Sequence, residues 1–247
     1  MIVERAMHPG WLSNAYLVAD EPGGHGLVID SGGPSAELLA KIEEHDVTVT
    51  HLFLTHHHPD HIAENDVYKE RFGVEILAHP IEAELIEGVD RTVEAGESIL
   101  EVGTLKVGAL LTPGHTGGML NPVVDGTDVF TGDTLFRRSV GGVRKSGSTG
   151  FGDLKRSVME VLMKLPPQTR LHPGHTDPTT VAEEWESNPF VRLWRGLDAE
   201  GDEPVGAMGK PATLILLGPD YDGGHKAWVR WPDGKDDIVP GSKIECG

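Results

Sequence analysis

Seven consecutive residues, Thr55-His56-His57-His58-Pro59-Asp60-His61, constrain this chain more than any other stretch. They follow a short apolar run, His51-Leu52-Phe53-Leu54, which reads as a buried strand ending in a turn. Imidazole nitrogens and a carboxylate oxygen are the donors that borderline-soft divalent metals prefer. His56, His58 and Asp60 alternate with spacers, and His61 follows directly. A turn at a strand end aims such a set in two directions, which suits a pair of metals. Composition bias produces runs of His, but it rarely adds Asp-His at this offset.

Three further segments place a ligand type in a Gly-rich turn after an apolar run. Leu110-Leu111-Thr112-Pro113-Gly114-His115-Thr116-Gly117-Gly118 offers His115, Val129-Phe130-Thr131-Gly132-Asp133-Thr134 offers Asp133, and Thr169-Arg170-Leu171-His172-Pro173-Gly174-His175 offers His175. Each reads as a strand closed by a tight turn, with the donor at the strand's C-terminal end. A single His near a turn is more often structural than ligating. Four such segments in one chain are not explained that way.

In order, T-H-x-H-x-D-H, T-P-G-H-T-G-G, T-G-D-T-L-F and P-G-H resemble the metallo-β-lactamase superfamily. Within it the chain is similar to the glyoxalase II-like (hydroxyacylglutathione hydrolase-like) branch, through Phe130-Thr131-Gly132-Asp133-Thr134-Leu135-Phe136 and the stretch from Pro173 to Phe190. The resemblance covers residues 1–200. It implies an α+β fold, a four-layer αβ/βα sandwich with a metal site at one edge of the sheets. It also implies that His56, His58 and His115 hold one metal, that Asp60, His61 and His175 hold a second, and that Asp133 bridges them. Two cations about 3.5–4 Å apart lower the pKa of a shared water and polarise a carbonyl. Asp60 and Asp133 are then the residues that position the nucleophile. Zinc is the default for such a donor set, and iron and manganese suit it too.

Other residues take lesser parts. Asp30, after Leu27-Val28-Ile29, is read as a carboxylate that orients a ligand His. His57 is a spacer expected to point away, and His8, His51, His79 and His172 are expected to bind no metal. The basic stretch Arg137-Arg138-Ser139-Val140-Gly141-Gly142-Val143-Arg144-Lys145 reads either as the mouth of an anion site or as a solvated loop.

The net charge of −18, from 21 basic and 39 acidic residues, counts against nucleic-acid partners. No apolar run approaches the ~20 residues of a membrane span. The start Met1-Ile2-Val3-Glu4-Arg5-Ala6 reads as a strand without a secretory signal, so a cytoplasmic location is expected. The lone cysteine, Cys246, excludes an internal disulfide and reads as a tail residue rather than a nucleophile.

Strands are expected at Ile2–Ala6, Ala15–Val18, Leu27–Ile29, Thr50–Leu54, Val74–Ala78, Leu105–Leu110, Val123–Val124 and Val129–Thr131. Ser35 is placed to cap a helix through Glu44, Ile62 to Phe72 reads as a helix, and Asp153 is placed to cap a long one stopped by Pro166-Pro167. Residues 1–203 are read as the metallohydrolase domain and 204–247 as a small β-rich module. That module has three short strands, at Ala212–Leu217, Ala227–Trp231 and Asp237–Val239. Too small to stand alone, it is expected to pack on the main domain or on a second subunit, which would make a homo-oligomer.

The chain departs from glyoxalase II in this β-rich tail, where the family has a helical extension. It departs again at Gly142-Val143-Arg144, where the family has a Lys and a Tyr for glutathione. The resemblance therefore speaks for the metal chemistry and leaves the thiol carrier open. The leading reading is a binuclear hydrolase that cleaves a small acylglutathione-like thioester, or another activated ester, by metal-bound hydroxide. Alternatives are a persulfide dioxygenase with one iron on His56, His115 and Asp133, a lactonase, and a metal-stabilised binding protein without turnover. Asp133 as bridging ligand speaks against β-lactamases.

Overall fold

The computed structural model describes residues 1–246; the side chain of Cys246, read above as a tail residue, lies outside the described residues. The chain divides into two compact units. The first comprises residues 1–111, 118–132 and 172–176, and the second comprises 112–117, 133–171 and the residues from 177 onward.

The first unit follows from its apolar runs. Strands β1 (Ile2–Met7), β2 (Asn14–Ala19), β3 (His25–Ile29), β4 (Thr48–Phe53), β5 (Glu75–Ala78) and β6 (Arg91–Thr92) form one sheet in sequence order. The β1–β2 and β2–β3 pairs are antiparallel, whereas β3–β4, β4–β5 and β5–β6 are parallel. Strands buried on both faces need apolar residues at every position, and Leu27-Val28-Ile29 is such a run. The pleat divides these residues. Leu17, Val28, Leu52, Leu54 and Ile76 pack with Leu38 and Ile42 of helix α1 (Ala36–Glu44) and with Tyr68. Tyr16, Val18, Leu27, Ile29 and Phe53 point the other way. There they meet Val107, Ala109, Leu120, Val124 and Phe130 from strands β7 (Gly96–Val102), β8 (Leu105–Leu111), β9 (Leu120–Val124) and β10 (Asp128–Gly132). Each fully buried side chain of this kind contributes about 1.5–3 kcal/mol, so the interior between the sheets is the main source of stability here.

All eight expected strands are present, with ends shifted by a few residues. The helices differ more. Ser35 precedes α1 but makes no capping bond with its side chain; its own N–H instead donates to Glu64 Oε2 at 2.6 Å. The helix expected over Ile62–Phe72 starts later, as α3 (Asn65–Phe72), and ends at Gly73 in the left-handed region, while a separate short helix, α2 (Pro59–Ile62), lies within the histidine motif itself.

In the second unit β11 (Leu135–Phe136) pairs with β12 (Ser139–Val140), and the start of β13 (Arg170–Pro173) pairs with β14 (Thr179–Thr180). The long helix expected from Asp153 starts earlier, at Phe151, without a side-chain cap. Its regular part ends at Arg156 and continues as a wide π turn over Ser157–Val161 and a 3₁₀ turn over Leu162–Lys164. The wider turn re-phases the apolar face, and Met163 is buried along with Leu162. Two short helices follow, Val181–Ser187 and Pro189–Trp194, capped by Thr180 and Asn188.

The C-terminal sheet has five strands rather than three: β15 (Glu203–Ala207), β16 (Lys210–Pro219), β17 (His225–Arg230), β18 (Asp236–Pro240) and β19 (Ile244–Cys246), in the order β18-β17-β16-β15-β19. Val205, Ala207, Ala212, Ala227, Val229 and Val239 form its core. Glu203-Pro204-Val205-Gly206-Ala207 escaped detection because Pro and Gly carry poor strand propensity, and pairing to β16 and β19 overrides it. Among the described residues no helix is long and apolar enough to cross a membrane.

Candidate metal centre

In the first unit the histidine motif leaves β4 at its C-terminal end and is held there by Asp30, at the corresponding end of β3. Asp30 is buried at φ 58°, and its Oδ1 accepts from the Thr55 N–H at 2.8 Å. Its Oδ2 accepts from Thr55 Oγ1 at 2.8 Å and lies 2.8 Å from His61 Nδ1. The carboxylate thus takes the Nδ1 side of His61 and leaves Nε2 to face a metal. His175 is set in the same way, with its Nδ1 2.9 Å from the carbonyl oxygen of Leu12. The Nε2 atoms of His61 and His175 lie 3.8 and 3.5 Å from Asp60 Oδ2. One donor atom from each of Asp60, His61 and His175 falls within 4.8 Å of the others, a spacing that fits one cation. His56 lies 4.3 Å from His61 and 4.7 Å from His58, ring centre to ring centre. His56 Nδ1 is 3.0 Å from Thr55 Oγ1.

In the second unit His115 and Asp133 come together. His115 Nε2 lies 3.4 Å from Asp133 Oδ2, and its Nδ1 lies 2.6 Å from the carbonyl oxygen of Gly142. This is the same arrangement once more: a fixed Nδ1 and an Nε2 turned toward a carboxylate. Three histidines from separate segments share it, and that repeated orientation is the pattern a metal site requires. Asp30→Asn keeps the left-handed backbone accessible but weakens the grip on His61. It is expected to lower metal affinity about 10–100-fold, measurable by competition with a chromogenic chelator.

The remaining histidines have other partners. His57 Nδ1 pairs closely with buried Glu82. His172 Nε2 lies 2.8 Å from Asp128, and His51 Nδ1 lies 2.7 Å from Thr50 Oγ1. His79 Nδ1 accepts from the Ile81 N–H, and His8 Nδ1 accepts from Gly10 and Trp11.

Two glycines are required for close approach rather than for turn geometry. A Cβ on Gly32 would stand 1.8 Å from the carbonyl oxygen of Asp60, and one on Gly141 would stand 1.7 Å from that of Asp133. Either side chain would push a candidate ligand's backbone aside. Glu82 was also missed by sequence reasoning. Its only local sign is a carboxylate between Ile81 and Ala83.

A cavity of about 160 Å³ in the second unit has His115 and Asp133 on its wall. Of the three arginines singled out in the sequence, Arg144 lines this cavity and pairs with Asp237. Arg137 bonds Glu183 at 2.8 Å instead, and the Arg138 N–H donates to Glu184. Lys226 of β17, one residue before the strand expected at Ala227–Trp231, also reaches the cavity. Burial pulls its ammonium below the ordinary lysine range, and Asp220, 2.9 Å away, opposes that shift.

The model of the metallo-β-lactamase superfamily matches residues 8–175. The chain belongs to the metallo-β-lactamase superfamily. The hydroxyacylglutathione hydrolase of Brucella ovis is 40% identical over 191 residues, covering 62% of this chain and 72% of that protein. An uncharacterized protein of Mycobacterium tuberculosis is 32% identical over 208 residues, covering 72% of this chain and 92% of that protein. The crystal structure of ETHE1 from Myxococcus xanthus superposes with a TM-score of 0.69 at 29% identity, over 80% of this chain and 92% of that one. TTHA1623, crystallised in a di-iron-bound form, superposes at 0.64 with 31% identity, over 77% of this chain and all (100%) of that one. With this membership the chain has the α+β metallo-β-lactamase fold and carries an additional C-terminal sheet. It is a metal-dependent hydrolase of the glyoxalase II-like kind.

Proposed function

We propose that the protein is a binuclear hydrolase of small thioesters or activated esters, with zinc as the first candidate metal. His56, His58 and His115 would hold one ion, Asp60, His61 and His175 the other, and Asp133 would bridge them. The observation that carries this reading is the common setting of His61, His115 and His175. In each the Nδ1 is engaged by an oxygen acceptor and Nε2 faces a carboxylate within 3.8 Å.

Two divalent cations in such a site supply an activated water and polarise the scissile carbonyl. The chain's own residues do the rest. Asp30 and the Leu12 and Gly142 carbonyls keep three rings in one tautomer, so that no reorientation precedes reaction. Asp60, half-buried in the first unit, would accept a hydrogen bond from the attacking water and align it. Asp133 is the corresponding carboxylate of the second unit. The cavity beside His115 and Asp133 would seat part of the substrate next to the reacting carbonyl.

The test is metal content of protein purified without added metal or chelator, followed by turnover of a panel of short acyl thioesters and then lactones. About two ions per chain with thioester turnover supports the proposal. One iron per chain, with oxygen uptake on a persulfide and no thioesterase activity, overturns it in favour of an oxygenase on His56, His115 and Asp133.

A further inference from the structure

His175 sits on a turn that its own residues do not favour. Thr176, directly after it, is held at φ 73°, and Leu12, whose carbonyl oxygen lies 2.9 Å from His175 Nδ1, is held at φ 59°. Both are non-glycine residues in the left-handed region, which is least favourable for a β-branched residue such as Thr176. Such conformations persist only where the surroundings over-determine them.

The surroundings here are strands β1 and β2 of the first unit. Asn14 opens β2 and is buried. Its Nδ2 donates to the carbonyl oxygens of Pro173 at 2.9 Å and Thr176 at 2.7 Å, and its N–H donates to that of Gly174 at 2.7 Å. One residue thus holds the carbonyls on both sides of His175. Arg5 Nη1 donates to the same Thr176 oxygen at 2.8 Å, and Tyr16 Oη donates to the Pro173 oxygen at 2.7 Å. Carbonyl oxygens only accept, so the Asn14 amide must turn its nitrogen toward them. Its Oδ1 has no hydrogen-bond partner among the described residues. A buried amide with an unmet oxygen is unfavourable by itself, so its two donors are what this position supplies. His61, by contrast, is set by Asp30, and His115 by the Gly142 carbonyl. The hold of Asn14 is local to one ligand.

We propose that Asn14 is a positioning residue for His175, with Arg5 in support: this strand pair retains the ion assigned to Asp60, His61 and His175 and takes no part in holding the other. The assignment rests on the two-ion reading for the ion, but not for the fixed ring. Without the Asn14 donors the turn relaxes, and His175 Nε2 leaves the position it shares with Asp60 and His61.

Two measurements separate them. In the first, metal-free full-length protein is titrated with Co²⁺ and followed by visible absorption and by the ions retained per chain. The unaltered protein is expected to take up about two. In Asn14→Ala one ion is expected to bind about 10–100-fold more weakly, the range for lost support behind a ligand, with the other within about threefold. Arg5 is only half-buried, so Arg5→Met keeps the test open where Asn14→Ala does not fold; it should weaken the same ion by less. Adding Asn14→Ala to His58→Ala, which lacks a ligand of the other ion, should leave no tightly held ion. Equal weakening of both ions, or of neither, overturns the proposal.

The second measurement reads the ring without metal, by NMR of [¹⁵N]histidine-labelled protein at alkaline pH, where imidazoles are neutral. The His175 signals are assigned through His175→Gln. The unaltered protein is expected to show His175 in a single tautomer with the proton on Nδ1, as its bond to the Leu12 carbonyl requires. Asn14→Ala and Arg5→Met should turn it into a mixture while His61 stays unchanged. If the unaltered protein takes up fewer than two ions but the tautomer still shifts in these variants, the two-ion reading falls and the positioning role stands. A His175 tautomer unmoved in both variants overturns that role.

Discussion

His58→Ala and Asp133→Ala are each expected to abolish hydrolysis while leaving the chain folded. Both residues are buried, and the proposed site assigns His58 to one ion and Asp133 to both. Loss of a hydrogen-bonding partner behind a ligand already costs about 10–100-fold in metal affinity or activity, so loss of a ligand should exceed about 100-fold. In the proposed site the bridging position would make Asp133 the more severe of the two, since its removal would unseat both cations at once. The check is kcat for the best thioester together with metal content by elemental analysis. Circular dichroism and the melting temperature of the metal-free proteins serve as the folding control. Turnover within tenfold of the unaltered protein in either variant would remove the two-metal mechanism.

Glu82→Ala is expected to be the most damaging change that touches no ligand. Glu82 is fully buried on the short helix Pro80–Ala83, where a carboxylate survives only if every oxygen is used. Its Oε1 accepts from the Gly118 N–H at 2.8 Å, and its Oε2 accepts from the His57 N–H at 3.0 Å and pairs with His57 Nδ1. One side chain therefore ties the residue between His56 and His58 to the end of the T-P-G-H-T-G-G turn. Truncation leaves two buried N–H donors and an imidazole without their acceptor, at about 1–3 kcal/mol for each group. A net loss of about 3–5 kcal/mol follows, the range for a broken buried pair. For a chain of this size that is a fall of about 10 °C in melting temperature, measured by calorimetry on metal-free protein. Glu82→Gln retains the volume and one acceptor oxygen, so it is expected to recover part of the loss. A melting temperature for Glu82→Ala within about 2 °C of the unaltered protein would show that the carboxylate is not the brace.

The helices show where local signals stop. Leu38 and Ile42 lie on one face of a period-3.6 pattern and are buried as that pattern requires, so α1 was legible. The helix from Phe151 was legible in extent but not in winding. Nothing within Ser157-Val158-Met159-Glu160-Val161 signals a π turn, whereas the second unit provides a long-range hydrogen bond there, from Ser157 Oγ to the Pro113 carbonyl at 2.6 Å. Strand β15 was invisible for the opposite reason: its residues argue against a strand, and only its neighbours make it one.

By itself the sequence determined the superfamily and the candidate donors, because metal ligation is written in residue types. Histidine and aspartate at the ends of apolar runs, separated by Gly and Pro turns, state their chemistry before any distance is known. The tertiary structure alone decided what surrounds those donors. Asp30 is 31 residues from the histidine it orients, Glu82 is 36 from the amide it accepts, and Lys226 is 86 from the carbonyl it reaches. None of these pairings has a local signature, since each is made by strands and turns that meet only when the sheets form.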